Sequence, residues 1–296
     1  VGLLDSLKKM FGGGGGAKKK KVPVSNIDKR FELMNKTGQG SMSKVWKAYD
    51  RQLGRTVCLK ILDREKTITF EKRFLGLDKP SEGEICVLLK HKNIVQTFEY
   101  GISTKKEPFL VMELIEGKGL DYMVDTRSTE LEQRRLDILI QLADGVEFLH
   151  KLGYLHRDLC PRNAMVTNDG VVKLIDFGLA IPFRPQFLKP GNRTGTTAYL
   201  APELIKRQTT DQRVDMFSLG VTAYQLFTGE MPWEKAPSER LLRMMVNVPG
   251  RDPRELKPDM DEATAKFLIK AIERDPKQRF QRAAEFRDAV RGLKQE

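Results

Sequence analysis

The chain has 296 residues, of which 40% are hydrophobic and 31% charged, and a formal net charge of +12. Its length suits roughly two compact units, and its composition is that of a globular protein with apolar side chains enough for a sizeable core. No run of 18 uncharged apolar residues exists, which excludes a membrane-spanning helix.

Residues 1–25 read as an appendage. They hold six lysines, Lys8, Lys9 and Lys18 to Lys21, against one acid, Asp5. The apolar residues Leu3, Leu4, Leu7, Met10 and Phe11 fall roughly on one helical face. Asp5, Lys8 and Lys9 interrupt that pattern, so it does not read as a cleavable signal peptide. Gly12 to Gly16 form a flexible linker. The expectation is a solvated basic tail, with weak contact to an anionic membrane surface as its second reading. The remaining basic excess suits a chain that handles anionic ligands, but no nucleic-acid module accompanies it, and no nucleic-acid partner is expected.

From Ile27 to Glu113 the chain reads as short strands with one helix. Phe31, Leu33 and Thr37 lead into a glycine turn, Val45, Trp46 and Ala48 follow, and the polar turn Asp50–Arg55 contains Gly54. Val57–Leu62 is an apolar run carrying Lys60. Ser81 and Glu84 have capping-box spacing at the start of a helix with Ile85, Cys86, Leu88 and Leu89 on its apolar face. Val95–Tyr100 and Phe109–Glu113 complete a mostly antiparallel sheet. Beyond Glu113 the period becomes helical. Helices are predicted over Leu131–His150, capped by Thr129 and stopped at Gly153, and over Val214–Phe227, stopped at Gly229. Shorter ones are predicted over Leu241–Val246, Ala263–Ile272 and Ala283–Leu293. Polar loops fill residues 154–210. The fold class is α+β, a small β-rich lobe followed by a larger helical one. The three cysteines, Cys58, Cys86 and Cys160, are odd in number and include no Cys-x-x-Cys pair. A disulfide framework is not expected, and a reducing, cytoplasmic setting fits best.

Three stretches carry chemistry. Gly38-Gln39-Gly40-Ser41-Met42-Ser43 is glycine-rich. Taken alone it is equally a plain β-turn, but Lys44–Tyr49 alternates as a strand, which excludes a dinucleotide fingerprint, and no Gly-Lys-Ser/Thr follows for a Walker loop. What remains is a hairpin whose backbone amides close over phosphates. His156-Arg157-Asp158-Leu159-Cys160-Pro161-Arg162-Asn163 places an aspartate and an asparagine five apart in a polar loop, a proton acceptor and a neutral metal ligand. Asp176-Phe177-Gly178 puts a carboxylate behind the apolar strand Val171–Ile175, suited to Mg²⁺.

With these motifs in this order, the chain from Phe31 to Leu293 closely resembles the eukaryotic-type protein kinase domain, with loops of bacterial character. Further matches are Gly195-Thr196-Thr197-Ala198-Tyr199-Leu200, similar to the substrate-docking loop of serine/threonine kinases, and Ala201-Pro202-Glu203. Asp215, Ser218 and Gly220 resemble the family's buried central helix, and Arg279 resembles the ion-pair partner of Glu203. The resemblance implies a two-lobed kinase domain over residues 26–296, with lobes 26–114 and 115–296. It implies a serine/threonine kinase that uses ATP and Mg²⁺ on a protein substrate. Gly38, Gly40 and Ser43 would cover the ATP phosphates. Lys60, held by Glu82, would bind the α and β phosphates. Glu113 and Ile115 would offer backbone groups to adenine, with Met112 behind it and Val45 and Cys58 above. Asp158 would take the substrate hydroxyl proton, and Asn163 and Asp176 would hold Mg²⁺. Glu82 is chosen over Glu84 for its distance to His91 and because Ile85, Cys86 and Leu89 then face inward. Cys160 stands where serine/threonine kinases place a lysine, and Arg162 is expected to supply the missing cation. Those two departures leave a tyrosine or dual-specificity kinase as a rival, beside a pseudokinase scaffold. The stretch Gly76–Ser81 is longer than usual for the family.

Overall fold

Short stretches of extended chain from Val24 on become a six-stranded sheet in the computed structural model, which describes residues 22–39, 42–191 and 193–293. The strands are β1 (Val24–Ser25), β2 (Phe31–Gln39), β3 (Ser43–Asp50), β4 (Arg55–Leu62), β5 (Thr97–Ser103) and β6 (Pro108–Met112), in spatial order β1-β5-β6-β4-β3-β2. All pairs are antiparallel except β1 with β5. Phe31, Ala48, Val57, Leu59, Phe109 and Val111 form the core on one face, joined by Ile27. Gly54 closes the β3–β4 turn at φ +66°, a conformation that costs glycine little.

These strands belong to the first of two compact units, which runs up to His91 and resumes over Val95–Glu116. The sequence places Val24 and Ser25 in the appendage, whereas here they pair with Ile102 and Ser103. Nor is the capped helix Glu82–Cys86 the only one in this unit, as the sequence suggests. Asn26 caps a turn of helix at Ile27–Arg30, and Asp63 caps Arg64–Glu71, its side chain accepting from the Lys66 amide at 2.9 Å. The appendage up to residue 21, with its lysines and its expected membrane contact, lies outside the described residues.

The second unit takes Lys92–Ile94 and the chain from Gly117 on. Its longest described helix, Thr129–Lys151, starts two residues earlier than the sequence suggests: Ser128, not Thr129, is the cap and accepts from the Leu131 amide at 3.2 Å. The helix Arg213–Thr228 is buried along nearly its whole length and ends on Gly229 in the left-handed conformation. Gly220 lies against the helix Glu262–Ala271, where a Cβ would stand 2.2 Å from the Ala271 carbonyl oxygen. Ser238–Asn247 and Ala283–Arg291 complete the major helices. Two small sheets carry the loops between them: Gly117–Gly119 with Ala164–Thr167 and Val172–Leu174, and Tyr154–Leu155 with Ile181–Pro182. Among the described residues no helix is long and apolar enough to cross a membrane.

Candidate active site

In the first unit, β4 carries Lys60 to a buried position opposite Val45 of β3. Its ammonium lies 2.6 Å from Glu82 Oε1, and both side chains are at most one-tenth exposed. A buried cation needs such a partner, because either charge alone would bear the full loss of hydration. Local chemistry decides which glutamate serves. Glu84 Oε2 accepts from the Ser81 amide and hydroxyl, each at 2.8 Å, so Glu84 closes the capping box and Glu82 turns to Lys60. Gly83 lets this short helix approach β5, since a Cβ there would meet Tyr100 at 2.5 Å. Cys58, two residues before Lys60, has its thiol pushed up to about 11 by burial, with the lysine charge acting the other way. Ser43 is buried at the start of β3, and Gly38 pairs with Val45. Gly40 lies outside the described residues. Glu113 donates its amide to the Gln96 carbonyl at 2.9 Å, and its carboxylate accepts from the Gln96 amide at 2.8 Å, which fixes it against the residue before β5. Met112 and Ile115 on either side of it are half-buried.

In the second unit the loop His156–Asn163 hangs from one carboxylate. Asp215, fully buried on the helix Arg213–Thr228, accepts from the His156 amide at 2.9 Å, the Arg157 amide at 2.8 Å and His150 Nε2 at 2.8 Å. Burial alone would raise its pKa, but these bonds hold it below the usual carboxylate range. Burial pushes the His156 imidazole pKa down, against the pull of Asp215, and its ring packs 4.9 Å from the Phe177 ring. Burial also lowers the Arg157 guanidinium to about 10, against the pull of Asp215. Arg157 and Asp176 both take positive φ, +69° and +60°, a strain seen where geometry serves function.

Asp158 is the centre of this loop. Its Oδ2 accepts from Asn163 Nδ2 at 2.9 Å, and its Oδ1 accepts both the amide and the hydroxyl of Thr196 at 2.7 Å. Arg162 Nη2 donates to the same Thr196 oxygen at 2.9 Å, and Cys160 Sγ stands 4.0 Å from it. The Cys160 thiol is pushed up to about 11, chiefly by burial and further by Asp158. Asn163 spends its amide nitrogen on Asp158, which leaves Oδ1 as an oxygen donor. Its backbone carbonyl accepts from the Ile175 amide at 2.9 Å, which ties the loop to the residue before Asp176. Farther along, Glu203 and Arg279 form a buried two-pronged pair at 2.8 and 2.7 Å, as their motif positions suggest. Ser218 donates to the Tyr199 carbonyl at 2.8 Å and so fixes the stretch around Tyr199 to the helix Arg213–Thr228.

Two contacts escape the sequence. The first is Thr196 on Asp158, a bond across 38 positions with no local signature. The second is His150 on Asp215, whose only signal is a histidine in the last turn of the long helix.

A β-rich lobe with a buried lysine–glutamate pair, followed by a helical lobe with this aspartate loop, is the two-lobed protein kinase-like fold. A family model described as the protein kinase domain matches residues 31–289. The chain is 29% identical over 269 residues to a probable serine/threonine-protein kinase of Clostridium acetobutylicum, covering 90% of this chain and 40% of that protein. It is 32% identical over 270 residues to a probable serine/threonine-protein kinase of Streptomyces coelicolor, covering 87% and 39%. It is 31% identical over 283 residues to the serine/threonine-protein kinase PknB of Mycolicibacterium smegmatis, covering 90% and 43%. The chain belongs to the protein kinase domain family, and it spans about two-fifths of the length of these relatives.

Proposed function

We propose that the chain is a serine/threonine protein kinase that transfers the γ-phosphoryl group of ATP, with Mg²⁺, to a protein hydroxyl. One observation carries this reading: the Thr196 hydroxyl donates to Asp158 at 2.7 Å while Arg162 donates to the same oxygen. An aliphatic alcohol is thus already seated on the carboxylate that would take its proton. A substrate serine or threonine presented to Asp158 would be aligned in the same manner and relieved of its proton as its oxygen bonds to phosphorus. The bond from phosphorus to the ADP oxygen breaks, and ADP leaves.

The donor set fits a hard cation. Asn163 Oδ1 and the Asp176 carboxylate are oxygen ligands of the kind Mg²⁺ takes beside phosphate oxygens. Among the described residues no group of three or more His, Cys, Asp and Glu side chains forms a metal cage of its own. Bound Mg-ATP supplies the reactive phosphoryl group and the countercharge. The chain's part is positioning. Lys60, pinned by Glu82, binds the α and β phosphates. The amides around Gly38, Gly40 and Ser43 cover them. The backbone of Glu113 and Ile115, with Val45 nearby, takes the adenine. Arg162 brings a cation to the hydroxyl end where the Cys160 position lacks one, because negative charge moves there during transfer. The presence of Lys60, Asp158, Asn163 and Asp176 together argues against a pseudokinase scaffold.

Asp158→Asn keeps the bond from Asn163 but loses the base. Its turnover with labelled ATP and a serine peptide is expected to fall about 10²-fold or more, the scale of a lost acid–base group. Turnover near that of the parent protein would remove Asp158 from the mechanism.

A further inference from the structure

Between Phe177 and Thr210 the charged residues are Arg184, Lys189, Arg193, Lys206, Arg207 and a single acid, Glu203. The acid is spent: its carboxylate is buried and held at both oxygens by Arg279. All five cations are exposed, and none forms an ion pair among the described residues. They are not scattered along a free strand of chain. The Thr210 amide donates to the Leu188 carbonyl at 3.2 Å, and Phe187, Leu188 and Thr210 are buried. That bond brings the stretch carrying Arg184 and Lys189 and the stretch carrying Lys206 and Arg207 together at Leu188 and Thr210. The loop between them is fixed at one end by Thr196 on Asp158 and in the middle by Ser218 on Tyr199. At its far end the Gln208 amide donates to the Glu203 carbonyl at 2.9 Å. The next acid along the chain, Asp211, is taken by Arg213 in a two-pronged pair. Asp121 and Asp125, on the helix Leu120–Asp125, are the acids whose charge reaches Tyr199.

Unpaired like charges around a fixed loop repel one another and contribute nothing to the fold. They do raise the local concentration of a ligand of opposite sign and set its approach. We propose that the protein substrate is an acidic segment, with aspartate or glutamate flanking the serine or threonine that is phosphorylated, and that Arg184, Lys189, Arg193, Lys206 and Arg207 select it. The inference rests on the kinase reading and names the substrate class for the same site.

The test uses the full chain and four peptides with one central serine: alanine flanks, glutamates before the serine, glutamates after it, and lysines on both sides. One glutamate peptide is expected to exceed the alanine peptide in kcat/KM by about tenfold, with the lysine peptide below both. The advantage should shrink as salt rises, since exposed charges are screened over about 10 Å at 0.1 M. In Lys206→Glu/Arg207→Glu and in Arg184→Glu/Lys189→Glu, the glutamate-to-alanine ratio should fall toward one. Equal rates on glutamate and alanine peptides, a preference for lysine, or charge-reversed variants that keep the parent ratio would each overturn the inference while leaving the kinase reading intact. Neither labelled peptide nor ADP with any of the four would overturn the kinase reading and the inference together.

Discussion

Glu82 and Glu84 lie two residues apart on one five-residue helix, yet they answer to different partners. Glu82 holds the Lys60 ammonium, and Glu84 holds the Ser81 amide and hydroxyl. Substituting each separates the two tasks. Glu82→Gln removes the charge that pins Lys60, and kcat/KM is expected to fall about tenfold or more, with a strongly non-additive result when combined with Lys60→Met. Glu84→Gln keeps an oxygen that can accept from Ser81, so it should cost under about 1 kcal/mol of stability and little activity. Initial rates and urea denaturation of Glu82→Gln, Lys60→Met, their double and Glu84→Gln check this, and a dead Glu84→Gln beside an active Glu82→Gln would reverse the assignment. The distinction was legible in the sequence because Ser-x-x-Glu is a local pattern. The capping box accounts for Glu84, while Glu82 follows from its distance to His91 and from the inward face of Ile85, Cys86 and Leu89, which are buried as that choice requires. Thr196 was not legible in this way. The sequence marks it as part of a docking loop, but its bond to Asp158 exists only after the chain has folded back.

At the level of elements, the long helices could be read because burial on one face writes a 3.6-residue period into Thr129–Lys151, and near-total burial writes an apolar run into Arg213–Thr228. The helix Arg64–Glu71 has neither signature. Only Thr67 and Phe70 are buried in it, and charged residues surround them. What secures it is a cluster of near neighbours in the chain that no helical period announces. Phe70 and Phe74 meet edge to face at 5.4 Å, and the Lys79 ammonium sits 5.4 and 5.5 Å from their ring centres. That ammonium donates to Glu71 at 2.9 Å and to the Pro80 carbonyl at 3.1 Å, with its side chain only 2% exposed. Burial pushes the Glu71 carboxyl up even beside this cation. Lys79→Met leaves that carboxyl buried without its partner and should cost about 3–5 kcal/mol. Lys79→Met/Glu71→Gln should recover part of the loss, because the stranded charge is gone. Urea unfolding of the parent, both single variants and the double variant measures the coupling; strictly additive losses would mean that the pair does not act as one.

Across the whole molecule, the described structure reaches back past the start of the first long strand at Phe31. The family match begins at residue 31, but the structural boundary lies earlier. Val24 and Ser25 add a strand, and Arg30 donates to Asp50 at 3.0 and 2.8 Å and to Glu99 at 2.9 and 2.9 Å. Deleting residues 1–21 is therefore expected to leave the unfolding midpoint and peptide turnover unchanged. Deleting residues 1–30 strips Arg30 from a fully buried Asp50 and should destabilise the protein by about 3–5 kcal/mol or prevent folding. Equal melting of the two truncated proteins would place the boundary after Arg30. Asp215 carries a different lesson about the body. It holds the start of the loop His156–Asn163 through the main-chain amides of His156 and Arg157, and every residue except proline has such an amide. The scaffold therefore grips the loop by what nearly all amino acids share and leaves their identities unconstrained by that grip. That grip makes no demand on the side chain at a position such as Cys160, so a change of chemistry there leaves the chain at His156 and Arg157, just before Asp158, held where it is.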